Sequence, residues 1–159
     1  MNPPNSNYPA FSPYLTVRNA EQAIEFYKAA FDATERIRLT NPADGTINHA
    51  ELLIHGNLIM ISEENPQWGT KSPLALSATP VAFCLIVPNA DTAFERAIAA
   101  GATTHMPLSD HFYGFRSGSV LDPSGHQWML QHEIEKLSPS ELQSRWNTMM
   151  AGCGTSESP

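Results

Sequence analysis

At 159 residues the chain is long enough to bury a core of its own without staples, and 42% hydrophobic against 16% charged residues mark it as globular rather than disordered. Nine Lys and Arg face sixteen Asp and Glu, for a net charge of −7, and no basic run occurs, so there is no electrostatic basis for gripping a phosphate backbone. Nucleic acid and membrane are not expected partners, because no segment approaches the roughly 18 apolar residues of a membrane span. Two cysteines in unrelated settings suggest no disulfide framework, which fits a cytoplasmic protein.

Residues 1–11 read as a loose N-terminal arm. Two segments then match each other: YLTVRNAEQAIEFYKAAFDAT from Tyr14 and CLIVPNADTAFERAIAAGAT from Cys84. Val17, Asn19, Ala20, Ala23, Glu25 and Ala30 recur 70 positions later, and after one lost residue GNLIMI at Gly56 aligns with GHQWML at Gly125, a shift of 69. Each copy begins as a strand followed by an Asn-capped helix that starts at alanine, Ala20 or Ala90. Apolar residues at Ala20, Ala23, Ile24, Tyr27 and Phe31 follow helical spacing, and Gly101 suits the end of the second helix.

Three strand-like runs follow each helix. They cover 34–39, 47–54 and 58–62 in the first copy and 103–108, 116–121 and 127–132 in the second, with a turn at Asp122-Pro123-Ser124-Gly125-His126. The pattern is βαβββ twice, as modules 12–62 and 81–133 of one domain, joined by the polar connector 63–80. In 134–159, Ser138, Pro139 and Glu141 spell a capped helix before a frayed tail.

Tandem βαβββ units with Asn-Ala helix starts and a last hairpin turning on Asp-Pro-x-Gly resemble the glyoxalase/bleomycin-resistance/dioxygenase (vicinal oxygen chelate) superfamily. PYLTVRNAEQAIEFYKAAFDA, NHAELLIHGNLIMIS and FYGFRSGSVLDPSGHQWMLQHEIEKLSPSEL resemble its PhnB-like branch. The resemblance implies an α+β fold in which the modules form a curled eight-stranded mixed sheet around a ligand cup, plus a C-terminal helix. It also implies where a metal would be held: one ligand five residues before each strand-ending Val and one in each fourth strand. Those positions are Ser12, Met60, Ala82 and Met129. None offers the nitrogen or oxygen donor of a divalent site, and paired thioethers would suit only Cu(I), so no metal or other cofactor is expected.

The same register assigns faces, because strand side chains alternate. Ser12, Tyr14, Thr16, Leu58, Met60, Ser62, Ala82, Cys84, Ile86, Gln127, Met129 and Gln131 would line the cup. Leu15, Val17, Ile59, Ile61, Phe83, Leu85, Trp128 and Leu130 would face the helices. His49 and Glu51 share a strand face, and they are the candidates for acid–base catalysis or a structural pair. Arg116 and Gly118 are read as their counterparts in the second module, with Arg116 either anchoring an anion or pairing with an acidic neighbour. In LSDHFYGFR, His111, Phe112, Tyr113 and Phe115 surround Gly114, and with Trp68 of the connector they could form a lid or a subunit contact. His55, His105, His126 and His132 lack metal spacing.

The expected ligand-binding set is Tyr14, Met60, Trp68, Cys84, Phe112, Tyr113, Phe115, Arg116, Gln127 and Met129. The expected function is metal-independent binding of a small aromatic or cationic molecule by a homodimer. The alternative is a lyase, isomerase or dioxygenase-type enzyme using His49 and Glu51 or a displaced metal.

Overall fold

The computed structural model describes residues 8–153, so most of the expected arm and the end of the tail lie outside the described residues. The first module runs β1 (Tyr14–Val17), α1 (Ala20–Phe31), β2 (Thr34–Thr40), β3 (Ile47–Ile54) and β4 (Asn57–Glu63). After a short α2 (Pro73–Leu76), the second runs β5 (Ala82–Ile86), α3 (Ala90–Ala99), β6 (Thr103–Asp110), β7 (Phe115–Leu121) and β8 (Gln127–Glu133), followed by α4 (Pro139–Cys153). No helix among the described residues is long and apolar enough to cross a membrane.

Both module helices start where their caps dictate. Asn19 Oδ1 accepts the Gln22 N–H at 2.9 Å and Asn89 Oδ1 the Thr92 N–H at 3.0 Å, satisfying donors that the first helical turn leaves free. At α4 the Glu141 carboxylate accepts the Ser138 N–H at 2.8 Å, and Ser138 Oγ accepts the Glu141 N–H, closing a capping box.

The eight strands form two four-stranded sheets, β1-β4-β3-β2 and β5-β8-β7-β6, rather than one continuous sheet within the chain. In each, the first strand runs parallel to the fourth and the remaining pairs are antiparallel. What joins the modules is their helix side. Tyr27 and Phe31 of α1 pack on Trp128 of β8, and one buried cluster takes in Leu15, Val17, Ile24, Ile61, Ala97, Val120 and Leu130 from both halves. Polar groups stitch the same seam: His126 Nε2 lies 3.0 Å from the Thr16 carbonyl, and Arg96 donates to the Ala30 carbonyl and Asp32.

The two faces separate as the alternation requires. Leu15, Val17, Ile59, Ile61, Trp128 and Leu130 are buried, with Phe83 and Leu85 half-buried against them. Of the opposite set only Leu58 is buried, while Tyr14 is 54% and Ile86 57% exposed. The helix sides are therefore spent inside the chain, and the other face of each sheet is left open.

Candidate functional site

Strand register fixes what meets on the open face of the first sheet. Tyr14 pairs with Met60 and Met60 with Glu51, so the three form one row across β1, β4 and β3, with His49 two residues along β3. The Tyr14 hydroxyl lies 2.9 Å from His49 Nδ1, and the His49 ring's other nitrogen, Nε2, lies 3.4 Å from Glu51 Oε1. The shorter contact holds the ring and the longer one orients it.

Glu51 is only 2% exposed, an unusual setting for a carboxylate. Its Oε2 has no hydrogen bond of ordinary geometry and faces Arg36 Nη1 at 3.5 Å. Arg36 is available because the β2–β3 register shifts between Glu35 and Ile37, leaving it outside the paired ladder. The Arg36 guanidinium carbon in turn lies 5.4 Å from the centre of the Tyr8 ring, and the nearby Glu51 carboxylate holds the Tyr8 phenol above its ordinary range. Tyr14, His49, Glu51, Arg36 and Tyr8 thus form one polar chain. Arg36 and Tyr8 escaped the sequence reading because a bulge and an N-terminal arm leave no periodic signal.

A cavity of about 640 Å³ runs along β1 and under the connector, lined mostly by apolar groups that include Phe11, Tyr14, Leu76, Val81 and Phe83. Ser12 also lines it, with a buried Oγ that has no hydrogen-bond partner, and Thr16, Lys71, Thr79 and His126 are among its other polar residues. Its size is that of an ordinary small-molecule site.

The open face of the second module carries neutral groups. Cys84, Met129 and Ser119 form one row, and Ile86, Gln131 and Ser117 the next. Gln131 Nε2 lies 3.1 Å from Cys84 Sγ, whose thiol pKa is raised by burial, and Gln127 donates to Ser119 Oγ at 3.4 Å. The counterparts of His49 and Glu51 are therefore Ser117 and Ser119, not Arg116 and Gly118. The β7–β8 turn encloses five residues between paired Leu121 and Gln127, where the β3–β4 turn encloses four between Leu53 and Leu58. A one-residue error in carrying the alignment through that turn exchanges the faces. Arg116 instead points to the helix side, paired with Asp91 of α3 at 2.7 and 2.8 Å and with Asp110 at 2.9 Å, and these carboxylates push its pKa up.

The aromatic loop is also not a free lid. The Gly114 carbonyl accepts the N–H groups of Ile134 and Glu135, Arg145 of α4 donates to the Phe112 carbonyl, and Phe112 packs on Trp146. Phe115 stays on the open side, and His111, stacked on Tyr113, reaches Ser109 Oγ and the Ser117 carbonyl there. Trp68 is exposed beside a separate polar hollow with Asn41, Asp44 and Asn48, away from the β1 cavity. Of the sequence-expected residues, Tyr14, Met60, His49 and Glu51 come together. Cys84, Gln127 and Met129 gather on the other sheet.

This pattern of paired modules matches the Glyoxalase/Bleomycin resistance protein/Dioxygenase superfamily over residues 9–130. The chain belongs to that superfamily. An uncharacterized protein of Mycobacterium tuberculosis strain H37Rv is 42% identical over 147 residues, covering 91% of this chain and 86% of the relative. TioX from Micromonospora sp. ML1 superposes with a TM-score of 0.61 at 27% identity, over 82% of this chain and all of that one. A PhnB protein from Bacillus cereus has a TM-score of 0.59 at 21% identity, over 78% of this chain and 99% of that one, which makes it one structural relative among several and speaks for the fold alone.

The positions that the resemblance assigns to a metal are Ser12, Met60, Ala82 and Met129, a hydroxyl, two thioethers and a methyl group. These side chains do not fit a divalent ion. No group of three or more His, Cys, Asp or Glu side chains among the described residues could hold one elsewhere in the single chain.

Proposed function

We propose that this superfamily member is a metal-independent binding protein for a small, flat, largely apolar molecule, seated in the cavity along β1 with the Tyr14–His49–Glu51 chain as its polar end. The observation that carries this reading is the cavity itself, apolar along most of its wall and bordered by the residue at one of the vacated metal positions, Ser12. An aromatic ligand suits these walls, since burying its faces returns about 25 cal/mol per Å². Lys71 among the lining groups argues against a purely cationic one.

The binding surface is completed by a second copy of the chain. The open faces carry exposed Tyr14, Leu39, Ile86 and Met106, apolar groups that a second copy would cover. A metal-free acid–base enzyme is the second reading, favoured by the 2.9 Å contact between Tyr14 and His49, which gives proton transfer a route.

The test is a titration with a neutral bicyclic aromatic probe, quinoline or indole, followed by ligand-observed NMR and sedimentation. Wild type is expected to sediment as a dimer and bind the probe saturably. Thr16→Trp, which fills the cavity, should abolish binding, and Ile86→Glu on the other sheet should weaken both binding and the dimer. Equal binding by wild type and Thr16→Trp would refute the assignment of the cavity.

A further inference from the structure

We propose that the polar chain running outward from buried Glu51 fixes the Tyr14 hydroxyl as a hydrogen-bond acceptor, so that the site selects ligands presenting a hydroxyl or neutral N–H donor on a flat apolar body. This rests on the binding role proposed above and specifies its chemistry.

The Glu51 carboxylate, facing the Arg36 guanidinium at 3.5 Å, only accepts hydrogen bonds. The His49 nitrogen beside it, Nε2, must therefore carry the ring's proton, because two acceptors 3.4 Å apart and nearly shielded from water would repel. A neutral imidazole with Nε2 protonated has a lone pair on Nδ1. Tyr14, 2.9 Å from Nδ1, must donate its single proton there. What remains to Tyr14 on the cavity side is oxygen lone pairs alone.

A phenol, alcohol, aniline or indole N–H meets that oxygen with a donor. An ether, aldehyde or carboxylate at the same place sets acceptor against acceptor and leaves the Tyr14 oxygen stripped of water without a partner. Ser12 Oγ, buried on the same cavity without a partner, can donate as well as accept, so it provides for a second polar group on the ligand. The selection is thus made at Tyr14, and His49 acts through it as a positioning residue.

The experiment has two arms. In the first, ¹⁵N spectra of histidine-labelled protein near pH 8, with the His49 signals assigned by their loss in His49→Gln, are expected to show Nε2 protonated and Nδ1 bare. A protonated Nδ1, whether Nε2 is bare or also protonated, overturns the inference whether or not any ligand binds. In the second, phenol is expected to bind about fivefold more tightly than anisole, the scale of one hydrogen bond, and Tyr14→Phe should bring the two together by weakening phenol. Anisole equal to or tighter than phenol in wild type, or a phenol preference that survives in Tyr14→Phe, overturns it. If Nε2 is the protonated nitrogen and no aromatic probe binds, the polarity of the chain is upheld and it is the binding role that fails.

Discussion

Asp122 is 5% exposed and accepts hydrogen bonds from the Tyr27 hydroxyl at 2.5 Å, the Trp128 indole at 3.1 Å, and the backbone N–H groups of Ser124 and His126 at 2.8 and 2.9 Å. One carboxylate thereby ties α1 of the first module to the β7–β8 turn of the second, and burial followed by the Asp122 charge holds the Tyr27 phenol well above its ordinary range. Asp122→Ala would leave these buried donors without an acceptor, and we expect a loss of about 3–5 kcal/mol in urea unfolding. A loss under about 1 kcal/mol would show that the clasp is dispensable. On the surface of the same module, Arg38 first and then Lys28 hold the Glu35 carboxyl down to about 2 from its usual 4.5. A carboxyl depressed in the folded state stabilises it above the unfolded pKa, and that contribution fades as pH falls from about 4.5 towards 2. The stability difference between wild type and Glu35→Gln should therefore be constant near neutrality and shrink across that acid range. A difference independent of pH would exclude the linkage. Only the turn at Asp122 was legible in the sequence: Tyr27 lies 95 positions from Asp122, and Glu35, though only three residues from Arg38, sits where the β2 register shifts.

Elements were legible where period and cap agreed. Asn19 and Asn89 announce both helix starts, and the two-residue alternation separates Leu15 and Val17 from Tyr14 and Thr16. Legibility stopped where one residue is gained or lost. The extra residue in the β7–β8 turn and the bulge at Arg36 redirect side chains without altering composition, which is why Arg116 was read onto the wrong face and Arg36 was missed. The loop at Gly114 shows the same gap between composition and contact. Its aromatics suggest a lid, but φ is +83° and an added Cβ would stand 2.3 Å from the Glu135 carbonyl oxygen, so glycine is required for the chain to double back against the segment leading to α4. Gly114→Ala is expected to cost about 2 kcal/mol or more and to speed amide exchange in α4 ahead of the β-sheets. Unchanged exchange in α4 would mean that the helix is held independently of this turn.

At the scale of the molecule, the two modules spend their helix sides on each other and leave two strand faces open. The internal repeat made this architecture readable, since a unit that recurs with one lost residue constrains register more tightly than any single motif. What the repeat could not supply is the pairing of the open faces, which depends on whether sheets join within a chain or across two. The resemblance to the superfamily puts a metal at Ser12, Met60, Ala82 and Met129; Ser12 borders the cavity along β1, and we propose that ligand binding in that cavity proceeds without a metal. Calorimetric titration of quinoline or indole into protein stripped by EDTA, repeated after adding Zn²⁺, Mn²⁺ or Ni²⁺, tests that claim most directly. We predict the same affinity in every case, to within about twofold. Binding that vanishes on stripping and returns with one of the ions would contradict it.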